Sequence, residues 1–224
     1  MTFKKLIAGY KSFHKNYFTS SNKLYEELVR DGQRPETLVI ACSDSRADPA
    51  LLTHSGPGEM FVVRNVAAIV PPYQTDSRHH GTSAAIEYAV KGLKVKHIIV
   101  MGHSLCGGIT ALANKELIRG KYEFISQWIE IGAPALEAVE RELADAPEET
   151  RQRFLEQAVI LVSLNNLLSF PWIKEGVEKG ELEVHGWYFD LGSGLLYRYN
   201  GETLAFEEIA SPYQDDAKKT LKFL

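Results

Sequence analysis

The chain of 224 residues is short of cysteine, of long apolar runs and of excess positive charge. Its two cysteines, Cys42 and Cys106, are too few for the disulfide framework of a small secreted protein. They form no C-x-x-C pair, which disfavours a thiol oxidoreductase. No apolar run approaches the roughly 18–20 residues that cross a bilayer. Lys4 and Lys5 are not followed by the apolar stretch of a secretory signal, so the expectation is a cytoplasmic chain that does not enter a membrane. Lysine and arginine total 25 against 29 aspartates and glutamates, a net charge of −4. That balance argues against a nucleic-acid partner held by a broadly positive surface, while leaving room for a small anion at a local site. Internal repeats, low-complexity tracts and Gly/Ser linkers are missing as well, and at about 100–200 residues per domain a single domain is expected.

What is present is an alternation. Apolar residues from Phe3 to Phe18, and again at Leu24, Leu28 and Val29, recur at helical spacing and predict an N-terminal helical arm over 1–33. Periodicity leaves open whether this arm packs on its own domain or on a second subunit. Residues 34–210 read as an α/β core and 211–224 as a tail. Short apolar strands are expected at Thr37–Ala41, Glu59–Val63, Lys96–Met101 and Leu182–Phe189, with Leu195–Tyr199 pairing back as a hairpin after Gly192-Ser193-Gly194. Helices are expected from His80 to Val90 with Thr82 or Ser83 as N-cap, from Gly107 to Arg119, around 124–141, around 148–170 and over 172–178. Pro147 and Pro171 stand near the starts of the last two. Continuous apolar strands between helices predict an α/β fold with a mainly parallel central sheet covered by helices.

Two polar clusters follow strands of that sheet. Cys42-Ser43-Asp44-Ser45-Arg46 comes straight after Leu38–Ala41, and His103-Ser104-Leu105-Cys106-Gly107-Gly108 after Ile98–Met101. Open α/β sheets place their ligand crevices at such carboxyl ends. Cysteine and histidine are preferred zinc donors, and three protein donors leave a fourth tetrahedral position for water, the catalytic arrangement. An isolated H-x-x-C is more often a core cysteine and a satisfied histidine; the pairing with C-x-D-x-R shifts the balance. Arg46 can pair bidentately with Asp44 and keep it ionised. Gly107 and Gly108, at a helix start, let backbone approach an anion or serve close packing equally well.

The motifs CSDSR, PGEMFVVRNVA, GTSAAIEYAV, HSLCGG and HGWYFDLGSG resemble those of the β-class carbonic anhydrases, with details closer to the plant-like branch. The resemblance implies one Zn2+ per chain on Cys42, His103 and Cys106, with Asp44 and Arg46 as a catalytic dyad. It implies reversible hydration of carbon dioxide to bicarbonate through zinc-bound hydroxide, and a carbon dioxide pocket lined by Gln33, Phe61, Val66 and Tyr88. It also implies a homo-oligomer, a dimer or multiple of dimers, whose cleft lies near the interface and whose arm embraces the partner. Some plant relatives have a histidine where this chain has Gly92, so no proton shuttle is carried over there. Two thiolates would leave zinc a weaker Lewis acid than three histidines do, with activity rising toward alkaline pH. Carbon disulfide or carbonyl sulfide hydrolysis on the same scaffold, and a non-enzymatic zinc site, are the competing readings. One branch of the family adds a noncatalytic bicarbonate site; of its residues this chain keeps only Arg64. Val39, Ala41 and Phe189 stand at the others, and Tyr188, one place earlier, faces the opposite side of its strand.

Overall fold

In the computed structural model, which describes residues 2–19, 22–76 and 79–210, the apolar runs become strands of one six-stranded sheet. β1 (Thr37–Cys42), β2 (Met60–Asn65), β3 (His97–His103) and β4 (Glu183–Phe189) run parallel in the order β2-β1-β3-β4. β5 (Leu196–Asn200) and β6 (Ala205–Ala210) extend that edge antiparallel. β1 is buried on both faces. Leu38 and Ile40 pack with Val100 and Ile160, while Val39 and Ala41 pack with Ile99 and Met101. A strand covered on both sides has no polar face to show, hence its unbroken apolar run. The hairpin expected at Leu195–Tyr199 is β4–β5. β6 has no sequence signal of its own, since an edge strand carrying Glu207 and Glu208 does not read as apolar.

The helices are α3 (Pro49–Thr53), α4 (Gly81–Glu87), α5 (Gly107–Ala113), α6 (Ile125–Ile129), α7 (Ala133–Glu142), α8 (Glu148–Leu168) and α9 (Pro171–Glu178), all following the N-terminal pair α1 (Phe3–Tyr17) and α2 (Leu24–Asp31). α3 is absent from the sequence-based expectation; Asp48 caps it, accepting from the amides of Ala50 and Leu51. The expected cap at Thr82 or Ser83 is corrected. α4 starts at Gly81 with His80 in the cap position and no side-chain cap bond; the Thr82 hydroxyl instead accepts from Asn65 Nδ2 at 3.4 Å. A π-helical turn, Tyr88–Leu93, finishes that segment. The helix expected over Gly107–Arg119 stops at Ala113, because the Asn114 side chain accepts from the Glu116 amide and starts a 3-10 turn. The stretch at 124–141 is likewise interrupted, by a 3-10 turn at Glu130–Gly132. Gly132 lies so close to α5 that a Cβ there would stand 2.8 Å from Leu112 Cδ2.

The chain divides after Arg34 into two units, residues 1–34 and 35–224. In the first, Phe13, Tyr17, Phe18 and Tyr25 form a small aromatic cluster joining α1 to α2. No residue of α1 or α2 is buried. The tail expected at 211–224 lies outside the described residues.

Candidate metal centre

The centre is built where β1 and β3 end. Cys42 is the last residue of β1, His103 the last of β3, and Cys106 caps α5. Parallel pairing sets Ala41 beside Met101, which brings the two strand ends level. Leu105 takes a left-handed conformation (φ 56°), which folds residues 103–106 tightly enough to turn both His103 and Cys106 inward. A branched side chain held there costs of order 1–2 kcal/mol, strain of the kind stored at functional sites. Leu105 points outward, 64% exposed.

All three donors are buried, and their ligand atoms lie within 4.8 Å of one another. The two sulfurs are 3.9 Å apart and not bonded, close to the edge of a tetrahedron with Zn–S bonds of about 2.3 Å. His103 Nδ1–H donates to the Ser104 carbonyl at 2.8 Å. That bond fixes the tautomer and leaves Nε2 as a lone pair, and Nε2 is a buried polar atom with no hydrogen-bond partner. An unpaired buried nitrogen aimed at two sulfurs is the signature of a metal donor set, and this one fits zinc. The contact between the two sulfurs favours a thiolate on one of them, while burial opposes charge on both.

Asp44 stands at the open side, its Oδ2 4.0 Å from His103 Nε2. Arg46 holds it there. The Arg46 amide and Nε donate to Oδ1 at 2.9 and 3.0 Å, and Nη2 donates to Oδ2 at 2.7 Å and to the Leu105 carbonyl at 3.2 Å. The Arg46 hydrogen bond keeps the Asp44 carboxyl well below the usual carboxylate range, against a smaller opposing effect of burial.

Of the remaining expected residues, Val66 and Gly108 lie together at this end. A Cβ on Gly108 would stand 2.8 Å from Val66 Cγ1 and 3.1 Å from Ala67 Cβ, so the packing reading accounts for this glycine. Nothing lies within 4 Å of the corresponding point on Gly107. Phe61 and Tyr88 pair with each other, ring centroids 5.8 Å apart, but not with the centre of their own chain. Phe61 is level with Leu38, four positions short of Cys42, or about 13 Å of strand at about 3.3 Å per residue. Gln33 belongs to the N-terminal unit and is exposed there.

Three further groups position the loops that carry the centre. Arg64 on β2 donates to the carbonyls of Cys42 (2.9 Å) and Asp44 (2.7 Å) and pairs with Asp48 (2.6 Å), clasping the loop that carries the dyad. Glu156, buried on α8, accepts from the Cys106 amide at 3.3 Å, from Gln152 at 2.9 Å and from the Tyr188 hydroxyl at 2.9 Å. Ser104 donates to Asp190 and accepts from the Leu191 amide, fastening the histidine turn to the loop after β4. Arg64 could have been suspected from its charge beside an apolar strand; Glu156 meets Cys106 50 positions away and Tyr188 32 away, and Ser104 meets Asp190 86 away, separations that only the fold closes.

Fold and site together define a metalloenzyme class: a mainly parallel α/β sheet with a thiolate–imidazole centre open on one side, at the carboxyl ends of adjacent strands. Residues 37–196 match the carbonic anhydrase family. The chain is 38% identical over 195 residues to Beta carbonic anhydrase 3 of Arabidopsis thaliana, covering 86% of this chain and 75% of that one. It is 36% identical over 208 residues to a carbonic anhydrase of Helicobacter pylori, covering 90% and 92%. The solved β-carbonic anhydrase CcaA superposes with a TM-score of 0.86 at 34% identity, covering 93% of this chain and 92% of that one. A tetrameric β-carbonic anhydrase of Sordaria macrospora superposes with a TM-score of 0.67, also at 34% identity, covering 93% of each. The chain belongs to the carbonic anhydrase family, in its β class, and its reaction is the reversible hydration of carbon dioxide.

Proposed function

We propose that this chain hydrates carbon dioxide with one zinc ion held by Cys42, His103 and Cys106, the unpaired and buried His103 Nε2 beside two sulfurs being the observation that carries the assignment. Bound there, zinc would supply the Lewis acidity that lowers the pKa of a coordinated water, less strongly than on three histidines because two thiolates cancel its charge. Asp44, ionised and turned by Arg46, accepts a hydrogen bond from the nucleophile and orients it toward the carbon. Arg46 also keeps the carboxylate from moving onto the metal and closing the site. Val66 contributes apolar wall, and the free space at Gly107 lets backbone approach product oxygens. Phe61, Tyr88 and Gln33 serve the pocket of a neighbouring copy in a dimer or multiple of dimers; the separation of Phe61 from its own Cys42 supports this.

The site is of the open kind, without a second bicarbonate site. Arg64, the one residue retained for such a site, already spends its guanidinium on Cys42, Asp44 and Asp48. Tyr188 is turned into the opposite face, onto Glu156. The cytoplasm, a reducing compartment, keeps sulfurs 3.9 Å apart from closing into a disulfide and is the proposed location. The test is metal analysis and stopped-flow carbon dioxide hydration on one sample. About one zinc per chain is expected. Alanine at Cys42, His103 or Cys106 is expected to remove metal and activity together, and full activity in a metal-free preparation would overturn the proposal.

A further inference from the structure

A second set of donors lies at the other end of the same strands. His97 is the first residue of β3 and Glu183 the first of β4, and the two are register partners. His185, two positions along β4, lies on the same side of the sheet as Glu183, because side chains alternate with period two. Three atoms converge. His97 Nδ1 and His185 Nε2 are 3.3 Å apart, and Glu183 Oε2 is 3.8 Å from the first and 3.6 Å from the second. A triangle with those edges has a centre about 2.1 Å from every corner, which is the bond length of zinc to imidazole nitrogen and carboxylate oxygen. From the geometry we infer that His97, Glu183 and His185 form a second metal site, for a late first-row divalent cation such as zinc or cobalt.

The donor set suits that class: two imidazoles and one carboxylate favour zinc, cobalt, nickel or copper over calcium and magnesium, which take all-oxygen sites. The side chains are 38%, 65% and 24% exposed in the order His97, Glu183, His185, so an ion can enter and water can complete its shell. Burial holds the His185 imidazole below its ordinary pKa, with Arg198 acting the same way and Glu183 opposing, so the His185 lone pair is free for a cation. Arg198 is also the charge that opposes binding, so the site is weaker than the thiolate centre. The six positions from His97 to His103 span about 20 Å of strand, which separates it from the catalytic metal. A bound ion clips the start of β3 to the start of β4 and so acts on strand pairing. Without an ion, the same contacts amount to one hydrogen bond between two imidazoles with a loosely paired glutamate.

The experiment is calorimetric and spectroscopic titration with cobalt(II) at pH 8 of enzyme dialysed to one tightly bound zinc per chain. The expected result is one further equivalent per chain, with visible d–d bands and no near-ultraviolet thiolate charge transfer, which only the Cys42–Cys106 centre can give. His97→Ala, His185→Ala and Glu183→Gln should each weaken uptake tenfold or more while zinc content and carbon dioxide hydration stay at the wild-type level. Cys42→Ser should keep the second uptake while losing the first, which separates failure of this inference from failure of the catalytic assignment. Should His185→Ala not fold, the more exposed Glu183→Gln carries the test. No uptake at millimolar cobalt, or uptake undiminished in the folded variants, overturns the inference.

Discussion

Asp44 and Arg46 show how much depends on a single residue contact at this centre. The carboxylate sits 4.0 Å from the ligand nitrogen of His103 and is kept from closing further by a bidentate pair with Arg46. Asp44→Asn is expected to keep zinc and lose about a hundredfold or more in turnover, because the amide offers its oxygen and nitrogen unequally to hydroxide and guanidinium. Arg46→Ala is expected to retain zinc and lose activity by the opposite route, the freed carboxylate moving toward the metal. Steady-state hydration rates with metal analysis on each variant check both; wild-type rates in both with zinc bound would show the dyad assignment to be wrong. The sign of the pH effect follows from the depressed carboxyl of Asp44. Its contribution to stability is complete above the ordinary carboxylate pKa of about 3.9 and is lost as pH falls through the lower folded value. Asp44 is therefore charged throughout the neutral range, and an acid inflection in activity near pH 6 or 7 has another origin.

At the scale of elements, the metal turn is held by α8 from one side and by β2 from the other. α8 lies close over β3, since a Cβ on Gly102 would stand 2.8 Å from Ile160 Cδ1. One turn before Ile160 it presents Glu156 to the start of α5 and to β4. Burial first, and the Glu156 charge second, push the Tyr188 hydroxyl well above its ordinary pKa, so it remains a donor at every working pH. Removing Glu156 leaves the Cys106 amide and the Tyr188 hydroxyl buried without an acceptor. Glu156→Ala is expected to cost about 2–4 kcal/mol in urea unfolding, and Tyr188→Phe about 1 kcal/mol. Because the two share one network, the double variant should lose less than the sum. Zinc affinity of Glu156→Ala in chelator competition is expected to fall roughly 10- to 100-fold, as when a group that orients a ligand is lost. Unchanged affinity would make Glu156 a packing residue only.

At the scale of the whole molecule, the N-terminal unit carries an apolar stripe of its own. α1 buries none of its residues, and Phe3, Leu6 and Tyr10 are 76%, 57% and 63% exposed. Apolar residues repeated at helical spacing form a stripe suited to packing against another surface. A second copy of this chain is the occupant under the proposed oligomer. A chain lacking residues 1–33 is expected to run as a smaller assembly than the full chain in size-exclusion chromatography with light scattering. An unchanged mass would remove the arm from the association interface.

Much of this could be read along the chain. Unbroken apolar runs mark four parallel strands, and the resemblance of two short motifs after two of them to those of the family is what named the expected ligands and dyad; within each motif, residues three or fewer apart share a turn. Registry between distant segments could not be read that way. That Arg64 clasps the loop of Asp44, that Glu156 reaches Cys106, that Gly108 is required by Val66 and that Phe61 lies four positions short of Cys42 all depend on how β1, β2, β3 and α8 pack. His97, Glu183 and His185 look like ordinary surface residues until parallel pairing of β3 and β4 sets them side by side. Local spacing determines which side chains share a face; only the tertiary structure, through strand order and register, decides which faces meet.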